Sequence, residues 1–140
     1  MEVKYRNYII SDDERLVDVD RVYTMLSKTY WGKFRSKEVI EKANEHSMCV
    51  GVYLGDTMVG FARCVTDYSS LYYLCDVVID EEHRGQGLGK ALVKAVTEHE
   101  KLSHLLALLD TKDAHGLYKQ FGFEDGSTTA MRRRRPDPEK

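Results

Sequence analysis

Between Tyr72 and Lys90 the chain reads YYLCDVVIDEEHRGQGLGK: a run apolar on both faces except at Asp76, a polar turn, then three alternating glycines. A strand apolar on both sides belongs in the middle of a sheet covered by helices on both faces. Downstream, Leu88, Ala91, Leu92, Ala95 and Val96 recur at helical spacing, so a helix runs from Gly87 to about Lys101. Strand, glycine loop and helix in direct succession leave few folds open. They require an α/β or α+β domain with this strand near its centre.

The remaining elements fit that frame. Residues 3–10 (VKYRNYII) read as a first strand. Val19, Val22, Tyr23 and Leu26 form an amphipathic helix with an acidic start at Asp18 and Asp20. A shorter helix carries Val39, Ile40 and Ala43 behind a Ser36 N-cap. SMCVGVYL and MVGFARCVT flank Gly55-Asp56-Thr57, a hairpin connection. After the long helix come a strand LLALLD and a helix with Ala114, Leu117, Tyr118 and Phe121 on one face, ended by Gly122. Phe123 to Arg133 is left for a last strand or hairpin. The predicted order is β-α-α-β-β-β-α-β-α-β, a mixed sheet with helices on both faces.

The 140 residues make about one domain, read as residues 1–135 with a short polar tail at 136–140. The formal charge of −2 is spread evenly between the two halves, which argues against a nucleic-acid partner. No apolar run reaches the ~18–20 residues of a membrane span. Cys49, Cys64 and Cys75 are an odd set in apolar stretches, the habit of reduced thiols, so a cytoplasmic protein is expected. No His/Cys cluster has metal-ligand spacing, so no metal is implied. A homodimer stays open.

Gly85-Gln86-Gly87-Leu88-Gly89 carries the chemistry. Glycine lets the backbone turn sharply and approach a ligand closely, and the first N–H groups of the helix have no intrahelical partner. The result is an anion site, with Arg84 and Lys90 beside it. Phosphate is the natural ligand, but the spacing G-x-G-x-G is neither the dinucleotide G-x-G-x-x-G nor a P-loop, which needs Ser or Thr where Ala91 stands. A glycine-rich turn without a ligand is the bland alternative.

Arg84-x-x-Gly87-x-Gly89 resembles the acetyl-CoA pyrophosphate loop of the GNAT superfamily of N-acetyltransferases, Gln/Arg-x-x-Gly-x-Gly/Ala. Tyr118-Lys119-Gln120-Phe121-Gly122-Phe123 resembles the Tyr-x-x-x-Gly-Phe helix ending of the same family, about thirty residues on. The resemblance implies a GNAT-like, mostly antiparallel mixed sheet and an acetyl-CoA-dependent enzyme that acetylates an amine of a small molecule or a protein. It also implies roles. The main chains of Val77 and Ile79, on a strand splayed from its neighbour, would bond the pantetheine arm and the thioester carbonyl. Arg84, Gly85, Gln86, Gly87, Leu88 and Gly89 would hold the pyrophosphate, and Tyr118 would be the general acid beside the coenzyme sulfur. Thr111 stands where many members carry a pantetheine-bonding Asn.

Other residues stay open between two readings. Asp76 is either a base for the amine or a structurally bonded acid, because an unpaired buried carboxylate costs several kcal/mol. A strict two-residue period places it opposite Tyr73, Cys75, Val77 and Ile79. Glu81, Glu82, His83 and His115 are further candidate bases or solvated surface groups. Tyr30 and Trp31 would wall an acceptor pocket or pack on the sheet. The run Arg132 to Arg135 would grip an anionic acceptor or RNA, or lie solvated as a final strand and tail. A module that binds acyl-CoA without chemistry would keep the glycine loop and have no need of Tyr118.

Overall fold

Six strands in chain order, β1 to β6, make one sheet in the computed structural model, which describes residues 1–126 and 129–136. They are β1 Glu2–Tyr5, β2 Tyr8–Ser11, β3 Met48–Leu54, β4 Thr57–Thr66, β5 Leu71–Ile79 and β6 Leu106–Leu108. The helices are α1 Val19–Ser27, α2 Lys37–Glu45, α3 Leu88–Thr97 and α4 His115–Lys119. Every strand pair is antiparallel except β5 with β6, so the sheet is mixed and mostly antiparallel, as the sequence implies.

Helices cover both faces. On one, Leu88, Leu92, Val93 and Val96 of α3 bury against Ile10, Val50, Val52, Ala62 and Leu74. On the other, Val22, Met25 and Leu26 of α1 and Ile40 of α2 bury against Met58, Phe61 and Val78. Each such side chain taken fully from water contributes about 1.5–3 kcal/mol, enough to make the two layers the main source of stability. Caps fix the helix starts on the α1/α2 side: Asp18 accepts from the Arg21 N–H at 3.2 Å and Ser36 from the Val39 N–H at 3.2 Å.

Two elements differ from the sequence reading. The expected first strand is a hairpin, because Arg6 takes a left-handed φ of 53° and Tyr5 pairs with Tyr8 across a two-residue turn. No strand forms in residues 123–126 or 129–133, although a last strand or hairpin was expected from Phe123 to Arg133; Ser127 and Thr128 lie outside the described residues, as do 137–140 of the tail. The long helix also ends earlier than expected, at Thr97, and β6 keeps only three residues of LLALLD. No helix among the described residues is long and apolar enough to cross a membrane.

Candidate active site

β5 holds its neighbours in two ways. It pairs with β6 only at Leu71, Tyr72 and Tyr73, and from Leu74 onward the two strands part. On its other edge the register with β4 slips between Phe61 and Arg63, so Asp76 and Val77 together oppose Ala62. Asp76 sits in this bulge with φ 56°, a conformation a non-glycine residue adopts only under local constraint.

That constraint is an ion-pair clamp. Both carboxylate oxygens of Asp76 are bound, one by Arg35 Nη1 at 2.7 Å and one by Arg63 Nε at 2.8 Å. Arg63 in turn donates to Ser47 Oγ at 3.1 Å. The residue is 6% exposed and structurally bonded. The bulge also corrects the expected face pattern. Tyr72 and Leu74 pack under α3, but beyond Asp76 it is Val77 and Ile79 that do so, while Val78 turns to α1. Cys75 stands opposite Arg63, which binds Asp76, so Cys75 and Asp76 serve one face rather than two.

The bulge aims the backbone. Gly60 faces Ile79, and the Asp80 N–H reaches past that pair to the Val59 carbonyl at 2.8 Å. This is the pattern of a non-hydrogen-bonded pair, so the N–H and C=O of Ile79 turn away from β4 and toward the splay. Val77, two residues back, lies in the bulge itself, beyond the regular pair of Phe61 with Val78.

Past Ile79 the loop is tied down on three sides. The Asp80 carboxylate is bound by Arg21 Nη2 and accepts from the Glu82 N–H at 3.1 Å. Tyr5 Oη donates to the Gln86 carbonyl at 2.6 Å, and Tyr8 Oη meets His83 Nδ1 at 2.9 Å. Arg84 Nε donates to the Ile79 carbonyl at 3.0 Å. Gly85 and Gly87 adopt φ of 81° and 82°. A Cβ on Gly85 would meet nothing within 4 Å, whereas one on Gly87 would lie 2.6 Å from Tyr5 Oη. The two glycines therefore do different work: Gly85 leaves open space, and Gly87 lets the loop lie against β1. Gly87 ends the loop as the residue before α3, whose first turn has no side-chain cap.

On the far wall, α4 presents Tyr118. Its ring packs edge-on against Phe123, and its hydroxyl bonds no protein atom among the described residues. Burial, and then the charge of Asp113, push the phenol above its ordinary value, so it is protonated at neutral pH. Val77, Ile79, Arg84, Gly85, Gly87, Leu88, Gly89 and Tyr118 line one cleft of about 360 Å³, joined by Thr29 and Trp31 from the α1–α2 connection. Gln86 is not among the lining residues; it faces β1 and β2. A second cavity of about 760 Å³ along β6 shares only Tyr118 with this cleft.

The model of the acetyltransferase (GNAT) family matches residues 16–123. The chain belongs to that family. This GNAT chain is similar, at 36% identity, to a GNAT-family protein of Xanthomonas campestris pv. campestris whose crystal structure superposes with a TM-score of 0.88, covering 95% of this chain and 96% of the other. A Gibberella zeae protein named as an acetyltransferase, FG08082, is 29% identical over 85% of this chain and 80% of its own. A GNAT acetyltransferase of Elizabethkingia anophelis, crystallised with acetyl-CoA bound, shares the fold at 17% identity and TM-score 0.67, over 88% and 80% of the two chains.

Several residues that shape this cleft went unseen in the sequence. Arg35 and Arg63 clamp Asp76 of β5 and Arg21 holds Asp80 just past its end, and only the lone Asp76 in an apolar strand signalled that such partners had to exist. Tyr5 and Tyr8 support the loop from 75 or more residues away, with no local signal. Trp31 reaches the cleft, while Tyr30 stands outside it under the Lys112 ammonium, 5.7 Å from the ring centroid. Thr111 Oγ1 accepts from the Ala114 N–H at 3.1 Å, shaping the turn into α4. Burial pushes the Cys49 and Cys64 thiols up to about 12 and Cys75 up to about 11, so none is a thiolate nucleophile at neutral pH.

Proposed function

We propose that this protein, as one domain over residues 1–135, moves an acetyl group from acetyl-CoA to a primary amine of a small-molecule or protein acceptor by direct transfer. The carrying observation is one cleft that joins a protonated Tyr118 hydroxyl, bonded to no protein atom among the described residues, to the glycine loop and to the splayed backbone of Val77 and Ile79. The residues present suit the coenzyme. Open space over Gly85, with the nearest atom to a Gly89 Cβ 4.0 Å away, leaves room for a diphosphate against the backbone. The first N–H groups of α3 and the terminal guanidinium nitrogens of Arg84, which bond no protein atom among the described residues, supply positive charge to it.

Each step then falls to a named group. The Val77 and Ile79 main chains take up the pantetheine arm and thioester carbonyl, an oxyanion-type donor that needs no particular side chain. The cleft brings the amine nitrogen to the carbonyl carbon, and positioning of this kind supplies much of the rate. As the C–N bond forms and the C–S bond breaks, the leaving sulfur takes the Tyr118 proton, and the amine nitrogen gives up its proton to water. Asp76, held by two arginines, is spent on the bulge and takes no part in that transfer.

The test pairs binding with turnover. Acetyl-CoA and CoA should raise the melting temperature while NAD and Mg-ATP do not; a ligand at about 100-fold its Kd adds ~2.7 kcal/mol. Acetyl-CoA should then release free thiol when offered a panel of amino acids, polyamines, lysine peptides and free peptide N-termini. Stabilisation by NAD or Mg-ATP alone contradicts the loop assignment. Tight acetyl-CoA binding with no thiol release for any amine leaves a binding module instead.

A further inference from the structure

The splay between β5 and β6 has a definite apex. The last backbone rung joins Tyr73 to Leu108, and beyond it Tyr73 Oη donates to Asp110 Oδ2. This side-chain bond crosses from β5 to the residues leaving β6 where the ladder stops. Burial, and then that bond, push the Tyr73 phenol up to about 12, so it stays a donor at neutral pH.

Asp110 is the first link of a short chain of contacts to Tyr118. Next to it, Thr111 Oγ1 accepts from the Ala114 N–H at 3.1 Å. The Ala114 carbonyl then receives the Leu117 and Tyr118 N–H groups, at 3.1 and 3.3 Å, which is the first turn of α4. α4 has only five residues and no side-chain cap on its own start, so it cannot fix its place by itself. Tyr118, Leu117 and Phe121 pack it on the core, and the connection from β6 that leads into it is tied to β5 by the Tyr73–Asp110 bond, with Arg132 Nη2 a further 3.9 Å from Asp110 Oδ2.

We propose that Tyr73 and Asp110 are positioning residues: their hydrogen bond sets the apex of the splay and, through Thr111, the seat of Tyr118 over the cleft. This rests on the acetyl-transfer reading for its kinetic consequence but not for its structural one. Neither residue lines the coenzyme cleft, so the pair acts on Tyr118 rather than on coenzyme binding.

The experiment uses Tyr73→Phe, Asp110→Ala and Asp110→Asn in the full chain, the last keeping an oxygen that accepts from Tyr73. Amide hydrogen exchange comes first, at Leu117, Tyr118 and Phe121, and needs no activity. Tyr73→Phe and Asp110→Ala should speed it several-fold, and Asp110→Asn should restore it toward wild type. Kinetics follow. Both disruptive variants should lower kcat about tenfold or more, since a misplacement near 1 Å can cost ~10²-fold, with coenzyme Kd changed less than about threefold. In a Tyr118→Phe background the same substitutions should change kcat little, because the group they position is gone.

Unchanged exchange in α4 overturns the proposal, whatever the kinetics. So does a kcat loss as large in the Tyr118→Phe background as in wild type, which would mark a general structural effect. If the wild type takes up no CoA, the acetyl-transfer reading fails separately, and the exchange result still decides whether this bond seats α4.

Discussion

Arg84 Nε donates to the Ile79 carbonyl at 3.0 Å, so the glycine loop's own guanidinium occupies one of the backbone groups that face the splay. The bond folds the side chain back along β5 and leaves both terminal nitrogens without a protein partner among the described residues. Arg84 closes the end of β5, and on the proposed reading its terminal nitrogens face the diphosphate.

Separating those tasks gives the first prediction. Arg84→Gln keeps a donor but loses the charge, and a hydrogen bond to a charged group contributes about 1.5–3 kcal/mol, so CoA affinity should fall roughly 10- to 100-fold. Calorimetry at two ionic strengths checks this, because the variant's Kd should depend less on salt than the wild type's. Affinity within threefold of wild type at low salt would place the guanidinium away from the phosphates.

The two left-handed glycines should respond differently to alanine. Either substitution strains the backbone by about 1–2 kcal/mol. At Gly85 the new methyl enters open space that the ligand needs, so coenzyme binding should suffer more than folding. At Gly87 it meets Tyr5 Oη at 2.6 Å, so folding should suffer too. Adding Tyr5→Phe removes that oxygen and leaves the next contact at 3.7 Å, so it should recover part of the stability lost by Gly87→Ala. Urea midpoints of the four proteins decide it; no recovery by Tyr5→Phe means the clash is not the cause.

Asp76 gives a stability prediction of its own. Removing one partner of a buried pair leaves uncompensated charge, and Asp76→Ala strands both Arg35 and Arg63. A loss of about 3–5 kcal/mol is expected. Asp76→Asn should cost less, because Asn tolerates positive φ and keeps one acceptor oxygen. Denaturant unfolding measures both, and equal small losses would mean the bulge holds without the clamp.

Much of this site could be read from the chain because its signals are local. Strand, glycine loop, α3 and the Tyr118 helix ending are contiguous, and hydrophobic period and glycine spacing survive without tertiary knowledge. Asp76 showed the limit. As a lone acid in an apolar strand it demanded partners, but Arg35 and Arg63 are 41 and 13 residues away and carry no mark that selects them. Strict alternation along β5 failed for the same reason, since a bulge adds a residue without altering the pattern of residue types. The β1–β2 hairpin hid because Arg6-Asn7 is a turn without glycine inside an otherwise β-forming run.

Acid should expose the anchor at the loop's start. Arg21, and after it the Glu82 N–H, hold the Asp80 carboxyl below its ordinary value. The unfolded chain therefore takes up this proton at higher pH than the folded one. The stability from the Asp80 pair is complete above about pH 4–5 and is lost as pH falls through the lower folded value. Asp80→Asn should unfold more easily at pH 7 yet lose less further stability between pH 5 and pH 3, in unfolding midpoints taken across the range. A wild-type and variant pair with parallel pH curves would contradict the anchor.

Tyr118 carries the central claim, and Tyr118→Phe tests it. The ring still packs on Phe123, and the hydroxyl bonds no protein atom among the described residues, so stability should change by less than about 1 kcal/mol. Coenzyme Kd from calorimetry should stay within about threefold of wild type. The leaving thiolate would lose its proton donor, and general acid catalysis contributes ~10²–10⁴-fold, so kcat with the best amine should fall at least ~10²-fold. A folded variant that binds acetyl-CoA normally and turns over at least ~10²-fold more slowly is the predicted result; a kcat within about threefold of wild type would make Tyr118 a packing residue and contradict the account.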